Sequence, residues 1–297
     1  MSKLSADKKF FDVSDYGRQI AITLANRLKH TKITPIHITF VFGICGFIAV
    51  YCILNQFYLT AGCFLILKSI IDALDGELSR AKNTSSYTGR YLDSVFDIIL
   101  NFLFLTAVSY VADENTWLTF LAFICIQLQG TLYNYYYVII RNTSTGADAT
   151  SKIFEATAPK AFLGESQKAV NILFTCYFIC YSIFDRAIYA MDRKASVIKS
   201  FPNWFMSLVS IYGLGFQLLI MAVLLAFKMI EIIIPFFVAY SVFMIVIIGI
   251  RRIFLTSSYM AARQFSPEQE FANNITGYSV KLPTESKSRQ NKKVPSM

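Results

Sequence analysis

Long runs of apolar residues, separated by short polar segments, dominate the chain. A membrane-spanning helix needs about 20 apolar residues at a rise of 1.5 Å each. Six segments reach that length, whereas a seventh, 169–184, is shorter and is flanked by charged residues. The pattern therefore predicts an all-α polytopic membrane protein with six transmembrane helices. These are 36–54, 57–78, 91–112, 116–140, 204–227 and 230–250.

The basic residues indicate the orientation of these helices, because Lys and Arg accumulate in cytoplasmic loops. If residue 1 lies inside and 169–184 does not cross, segments 1–35, 79–90, 141–203 and 251–297 are cytoplasmic. They contain 26 of the 28 Lys and Arg residues. We therefore expect both termini inside, with 169–184 interfacial or packed against the bundle.

The two ends of the chain differ from the membrane region 36–250. Tyr16, Ile20, Leu24 and Leu28 recur every four residues, which predicts an interfacial amphipathic helix within a cytoplasmic segment 1–35. The segment 251–297 is polar and basic, and from 264 it shows no helical periodicity. It is predicted to be a disordered cytoplasmic tail.

Composition agrees with a membrane protein, since 55% of the residues are hydrophobic and only 16% are charged. The net charge of +9 is explained by the loop asymmetry, so no nucleic-acid partner is predicted. No signal peptide is evident, and the six cysteines show no metal-ligand spacing. These features favour a bacterial inner membrane with the basic face in the cytoplasm, and an organelle membrane is the alternative.

Acidic residues concentrate where the second predicted span ends and the third begins. Asp72 and Asp75 are three residues apart on one helix face, and Asp93 and Asp97 are four apart on the next. Intramembrane charge is costly and marks candidate functional sites. Four carboxylates cannot all remain ionised together without cations, and an all-oxygen site suits Mg²⁺ or Mn²⁺. Two such ions would hold a phosphoryl group undergoing displacement.

Residues around the carboxylates fit a diphosphate ligand. Gly76 and Gly89 permit close approach of a ligand or a backbone, and Arg80 offers a fork of donors for phosphate. The full spacing is D-x2-D-G-x3-R-x8-G-x3-D-x3-D.

This spacing resembles the signature of the CDP-alcohol phosphotransferase family, D-x2-D-G-x2-A-R-x8-G-x3-D-x3-D. Each fixed position matches except the Ala before Arg80, which is Ser79 here. A second resemblance is to T-P-N-x-x-T before the first span, where Thr34, Pro35 and Thr39 agree and Ile36 replaces Asn.

The resemblance implies a role for each matching residue. Asp72, Asp75, Asp93 and Asp97 would bind two divalent metals, Mg²⁺ or Mn²⁺, and Asp97 would also be the general base. Gly76, Arg80 and Gly89 would hold the CDP group, with Ser79 adjacent. A homodimer in contact with membrane lipid is also implied.

The implied reaction moves a substituted phosphate from a CDP-alcohol to an acceptor hydroxyl and releases CMP, in phospholipid biosynthesis. CDP-diacylglycerol is favoured as donor because a cationic face suits a charged soluble acceptor. A CDP-choline, CDP-ethanolamine or CDP-inositol headgroup transferase acting on a lipid is the alternative. An intramembrane prenyltransferase lacks this continuous motif, and an ion transporter would spread its carboxylates over several helices.

Several neighbouring residues have more than one interpretation. Lys68 is expected to pair with Asp72, and Glu77 is expected to be solvated. Tyr133–Tyr137 fits an interfacial aromatic belt or an acceptor site. Gly213 and Gly215 fit close helix packing, including at a dimer interface. The remaining set, Lys152, Lys160 and Lys168, fits a phosphate-binding fringe or the positive-inside bias.

Overall fold

The structure is a computed structural model that describes residues 9–142, 154–198 and 200–255. The described residues form helices and no strands, which confirms the all-α prediction. The predicted tail is outside the described residues from 256 onward. The helices are α1 (Arg18–Leu28), α2 (Pro35–Leu54), α3 (Tyr58–Lys82), α4 (Tyr87–Ala112), α5 (Thr116–Asn142), α6 (Gln167–Met191), α7 (Asn203–Val209), α8 (Leu214–Ala226) and α9 (Ile230–Ile250).

Local signals in the sequence set the helix boundaries. Thr34 caps α2 by accepting from the backbone N–H of His37, and Pro35 occupies the first helical position, where no N–H is needed. Asn83 and Asp113 adopt the left-handed conformation with φ of 53° and 52°, and they end α3 and α4. The resulting short turns make α3, α4 and α5 successively antiparallel.

Close backbone contacts fix the position of α8 against α3. A Cβ on Gly62 would lie 2.9 Å from the carbonyl oxygen of Ala222, and one on Gly215 would lie 3.0 Å from Ser69 Oγ. The order of these contacts shows that α3 and α8 are antiparallel. We call the end of the bundle at which residues 83–86 join α3 to α4 the α3–α4 end.

Among the described residues, length and apolarity alone would allow five helices to cross a membrane, or six with the α7–α8 pair, which is bent by 51° at Gly213. This agrees with a polytopic membrane protein, but the set differs from the predicted six. α6 meets the criterion, and α3 does not because its second half carries several charged residues.

The contacts of α6 indicate whether this helix crosses the membrane. It forms a 25-residue helix, longer than the predicted segment 169–184. Phe174 packs near its beginning against Tyr91, close to the start of α4. Asp192, just after its end, accepts from Tyr136 near the end of α5. Both ends of α6 therefore lie at the α3–α4 end, which favours a helix packed across the bundle.

The N-terminal helix packs on α3 mainly through small residues outside its predicted apolar stripe. α1 buries Ala21 and Ala25 against Leu74 and Leu78 of α3, whereas Ile20 is 52% exposed. α1 lies closely on α3 because the contacting face has small side chains. An exposed Ile20 is compatible with a stripe that faces lipid, so the interfacial helix stays a prediction.

Candidate metal and active site

Three of the four predicted carboxylates converge between α3 and α4. One carboxylate oxygen each from Asp72, Asp75 and Asp93 lie within 4.8 Å of one another. The three residues lie roughly 9 to 15 Å from the ends of their helices, given a rise of 1.5 Å per residue. The i, i+3 spacing on α3 and the antiparallel start of α4 produce this arrangement.

Asp97 lies one turn beyond Asp93 and contacts a different partner. Lys68, which is only 1% exposed, donates to Asp97 and lies 3.5 Å from Asp72. The expected Lys68–Asp72 contact is therefore present, and Asp97 is an additional partner on the neighbouring helix. Lys68 thus joins the carboxylates of α3 and α4, while the role of Asp97 as a metal ligand stays a prediction.

Thr39 supports the cluster from α2. Its hydroxyl donates to Asp75 Oδ2 at 2.9 Å, and the residue is only 1% exposed. Capping of α2 at Thr34 sets the register that brings Thr39 to this carboxylate. The second sequence resemblance contained this residue but gave no role for it.

The carboxylate cluster fits a divalent cation. Its ligands are hard oxygen atoms, which Mg²⁺ and Mn²⁺ prefer. Asp93 Oδ1 is buried and, among the described residues, has no hydrogen-bond partner. A buried carboxylate oxygen without a partner is costly, and a bound cation would remove that cost.

Glu77 is not solvated, contrary to the sequence expectation. Its side chain is 13% exposed and lies 2.8 Å from Arg80 and 3.2 Å from Arg18 of α1. The expectation failed because it considered only α3, whereas α1 covers that face. Glu77 therefore orients the arginine that was predicted to hold phosphate.

The four residues predicted to bind CDP have different surroundings. Gly76 and Arg80 line a cavity with the carboxylates, and a Cβ on Gly76 would lie 3.4 Å from the Arg80 guanidinium. Ser79 donates to the carbonyl oxygen of Thr84, and Gly89 donates its N–H to the α4 cap residue Ser86. Neither Ser79 nor Gly89 lines this cavity.

The cavity lined by Gly76, Arg80 and the carboxylates, here called the α3 cavity, has a volume of about 260 Å³. The N-terminal segment before α1 also lines it, which the sequence did not indicate. Asp12, Ser14 and Asp15 line it together with Asp72, Asp75 and Asp93. Tyr133 holds this segment by donating to Asp12 at 2.5 Å.

Glycines of α8 admit this segment. A Cβ on Gly213 would lie 2.3 Å from Ser14 Oγ, and one on Gly215 would lie 2.0 Å from the Ser14 carbonyl oxygen. The two glycines therefore serve close packing within one chain. Small residues within the predicted span 204–227 were the signal that could have indicated it.

A second cavity, the α4–α6 cavity, has a volume of about 270 Å³. Asp97 lines it from α4 and Asp185 from α6. Tyr133 and Leu214 line both cavities, so the two adjoin. Asp93 and Asp97, one turn apart, therefore face neighbouring cavities.

The tyrosines near the end of α5 are not an exposed aromatic belt. Tyr135 and Tyr136 are buried, and both donate to Asp192. Only Tyr133 of this run lines both cavities. Of the three candidate lysines, Lys152 is outside the described residues, and Lys160 and Lys168 are exposed and outside both linings.

Glu165 stabilises the start of α4 from the loop before α6. It accepts from Ser86 Oγ at 2.7 Å and from the backbone N–H of Thr88 at 2.8 Å. Burial raises its pKa, but hydrogen bonds from Ser86, Thr88 and Phe162 lower it, and the net pKa is below the ordinary value.

Comparison with known proteins agrees with this geometry. The model of the CDP-alcohol phosphatidyltransferase family matches residues 32–192, which include α2 to α6 and all four aspartates. The chain belongs to this family.

A bifunctional IPC transferase and DIPP synthase from Thermococcus kodakarensis is 35% identical over 96 residues. The match covers 32% of this chain and 22% of that relative. No solved structure matches the chain significantly.

Proposed function

We propose that the protein transfers a substituted phosphate from a CDP-alcohol to an acceptor hydroxyl and releases CMP. The observation that carries this proposal is the distribution of the aspartates over two adjoining cavities. Asp72, Asp75 and Asp93 line the α3 cavity, and Asp97 lines the α4–α6 cavity. A donor diphosphate in the first cavity and an acceptor in the second would meet at Asp93 and Asp97.

The chain's own residues would act as follows. Asp72, Asp75 and Asp93, with Asp97 as the resemblance implies, would hold Mg²⁺ or Mn²⁺. These ions would neutralise the diphosphate and stabilise charge on the attacking and leaving oxygens. Arg80, oriented by Glu77, would bind a phosphate oxygen of the donor.

Asp97 is proposed as the general base. It would accept the proton of the acceptor hydroxyl as that oxygen forms a bond to the phosphorus distal to cytidine. The bond from that phosphorus to the bridging oxygen breaks, and CMP leaves with the electron pair. Lys68 would hold the Asp97 carboxylate in position through their contact.

The lipid is proposed to be on the donor, as in CDP-diacylglycerol, with phospholipid synthesis as the outcome. Polar side chains in the lining of the α4–α6 cavity, among them Asn101, Gln127 and Asp185, support a water-soluble acceptor. The name of the relative describes a transferase and a synthase and does not decide the donor.

The donor class can be tested with the purified full chain and Mg²⁺. One reaction would combine CDP-diacylglycerol with a set of soluble alcohols. The other would combine CDP-choline, CDP-ethanolamine and CDP-inositol with diacylglycerol. We expect CMP only in the first, and CMP only in the second would establish the headgroup-transferase alternative.

Orientation and assembly are also proposals. The basic segments support placing the α3–α4 end in the cytoplasm with both termini inside. The membrane is proposed to be a bacterial inner membrane. The family resemblance supports a homodimer. The orientation can be tested by introducing a cysteine at Lys82 or at Asp113 and labelling it from each side of the membrane. Light scattering of the protein in detergent tests the homodimer.

A further inference from the structure

Several polar side chains line the α4–α6 cavity, and the proposed reaction does not by itself explain them. Amide side chains line it from three helices, Asn101 from α4, Gln127 and Asn134 from α5, and Gln217 from α8. Its volume of about 270 Å³ is near the lower limit of small-molecule sites. Such a lining suits a small ligand with several hydroxyl groups.

The charges of this lining are mostly negative. Asp97, Asp185 and Glu155 line the cavity, and among the described residues Arg90 is the one cation in its lining. Arg90 is already engaged, since its guanidinium lies 2.5 Å from Glu155 and stacks on Tyr91 at 4.5 Å.

Glu155 is in turn held at 2.5 Å by the hydroxyl of Tyr91, which packs against α6. The Arg90–Glu155 pair is therefore built into the wall of the cavity. Asp185 has no ion pair within the part of the chain that the structure describes. A phosphate on an acceptor in this cavity would face Asp185, and no uncommitted cationic side chain among the described lining residues would neutralise it.

One lining residue points independently to a ligand. Gln127 is 5% exposed, and its Nε2 is buried with no hydrogen-bond partner among the described residues. An unmade hydrogen bond by a buried amide costs about 1–3 kcal/mol. Neighbouring Gln217 is already satisfied, because it donates to Gln129 at 3.0 Å. A ligand hydroxyl would supply the acceptor that Gln127 lacks.

On the basis of the proposed function, we propose that the acceptor is an uncharged polyol and that the α4–α6 cavity rejects phosphorylated alcohols. The hydroxyls of the polyol would form hydrogen bonds with the amides and with Asp185. The Asp185 carboxylate can accept a hydrogen bond from a hydroxyl, but it would repel an anion. This differs from the sequence-based expectation of a charged acceptor recognised by lysines. Lys160 and Lys168 lie outside this lining.

Matched acceptors that differ only by a phosphate provide the test. With one donor and Mg²⁺, CMP release would be compared for glycerol against glycerol 3-phosphate, and for myo-inositol against inositol 1-phosphate. We expect the uncharged member of at least one pair to have a kcat/KM at least tenfold higher. A preference for the phosphorylated member, or equal use, would overturn the inference and leave the proposed function standing.

Two variants test the residues. Asp185→Asn should reduce the discrimination between pair members at least threefold, and Gln127→Leu should raise KM for the polyol more than it changes kcat. Asp113→Asn, at the opposite end of the bundle, is the control. Unchanged discrimination in folded Asp185→Asn would contradict the role of that carboxylate.

Binding without turnover gives a second readout. The polyol should raise the unfolding temperature of the metal-free protein, and its phosphorylated partner should not. The reverse result would overturn the inference. If no combination of donor and acceptor gave CMP, both the proposed function and this inference would be overturned.

Discussion

Thr39→Val should weaken metal binding without removing any proposed ligand. Valine has nearly the shape of threonine, so the change deletes the hydroxyl that donates to Asp75 Oδ2 at 2.9 Å. Since Thr39 is only 1% exposed, water cannot readily replace this donor. Asp75 would keep its place in the sequence but lose a restraint on its orientation.

The size of the effect follows from the charge of the acceptor. A hydrogen bond to a charged group contributes about 1.5–3 kcal/mol. Because about 1.4 kcal/mol corresponds to a factor of ten, the apparent affinity for Mg²⁺ should fall roughly 10- to 100-fold. Loss of hydrogen bonds to metal ligands typically has an effect of about this size.

The assay is the Mg²⁺ dependence of CMP release, together with the increase in unfolding temperature that Mg²⁺ produces. Thr39→Ser keeps the hydroxyl and should retain most of the affinity. Thr106→Val is the matched control, because the Thr106 hydroxyl donates to the carbonyl oxygen of Phe102 in its own helix and lies far from the carboxylate cluster in the sequence. An unchanged Mg²⁺ dependence in folded Thr39→Val would refute this reasoning.

Three further changes test other parts of the structure. Lys68→Met removes a buried ammonium from two carboxylates, so the metal-free protein should lose about 3–5 kcal/mol of unfolding free energy. Mg²⁺ should restore part of this loss. Equal stabilisation of the variant and the wild type by Mg²⁺ would contradict this expectation. Glu165→Gln should lower thermal stability above about pH 4.3, and the difference from wild type should shrink as the pH falls further. The reason is that the pKa of Glu165 is lowered in the folded protein, so its carboxylate stabilises the fold only while it is ionised. A difference that does not depend on pH would contradict this. Gly215→Ala should reduce CMP release because its Cβ would meet the Ser14 backbone. Gly249→Ala should not, because among the described residues its Cβ would meet no atom within 4 Å beyond its own stretch of helix backbone. Equal activities of the two variants would contradict the packing of the N-terminal segment.

Helical periodicity predicted the core of the site well. The spacing of Asp72, Asp75 and Asp93 defines faces of two antiparallel helices, and these residues do converge. The contact between Lys68 and Asp72 was also predictable, since it lies within one helix at i, i+4.

Contacts between distant segments were not predictable in the same way. Glu77 was expected in solvent because its pairing with Arg18 depends on how α1 lies on α3. The contact of Lys68 with Asp97 likewise depends on the separation of α3 and α4. Periodicity specifies which residues share a face, but not which segment covers that face.

The N-terminal segment shows the same limit. Its short polar residues, Asp12 and Ser14, gave no helical pattern, yet both line the α3 cavity. They reach it because Gly213 and Gly215 leave room on α8, about 200 positions away in the chain. A single sequence contains both features but nothing that connects them.

The most direct test of the account is Mg²⁺-dependent CMP release by Asp97→Asn beside Asp113→Asn. Asp113 is exposed at the opposite end of the bundle, and asparagine also tolerates its left-handed conformation. We predict that Asp97→Asn loses about 10²- to 10⁴-fold in kcat, as expected for loss of a general base, while Asp113→Asn keeps wild-type activity. Full activity in Asp97→Asn would contradict the central claim that this carboxylate accepts the acceptor proton.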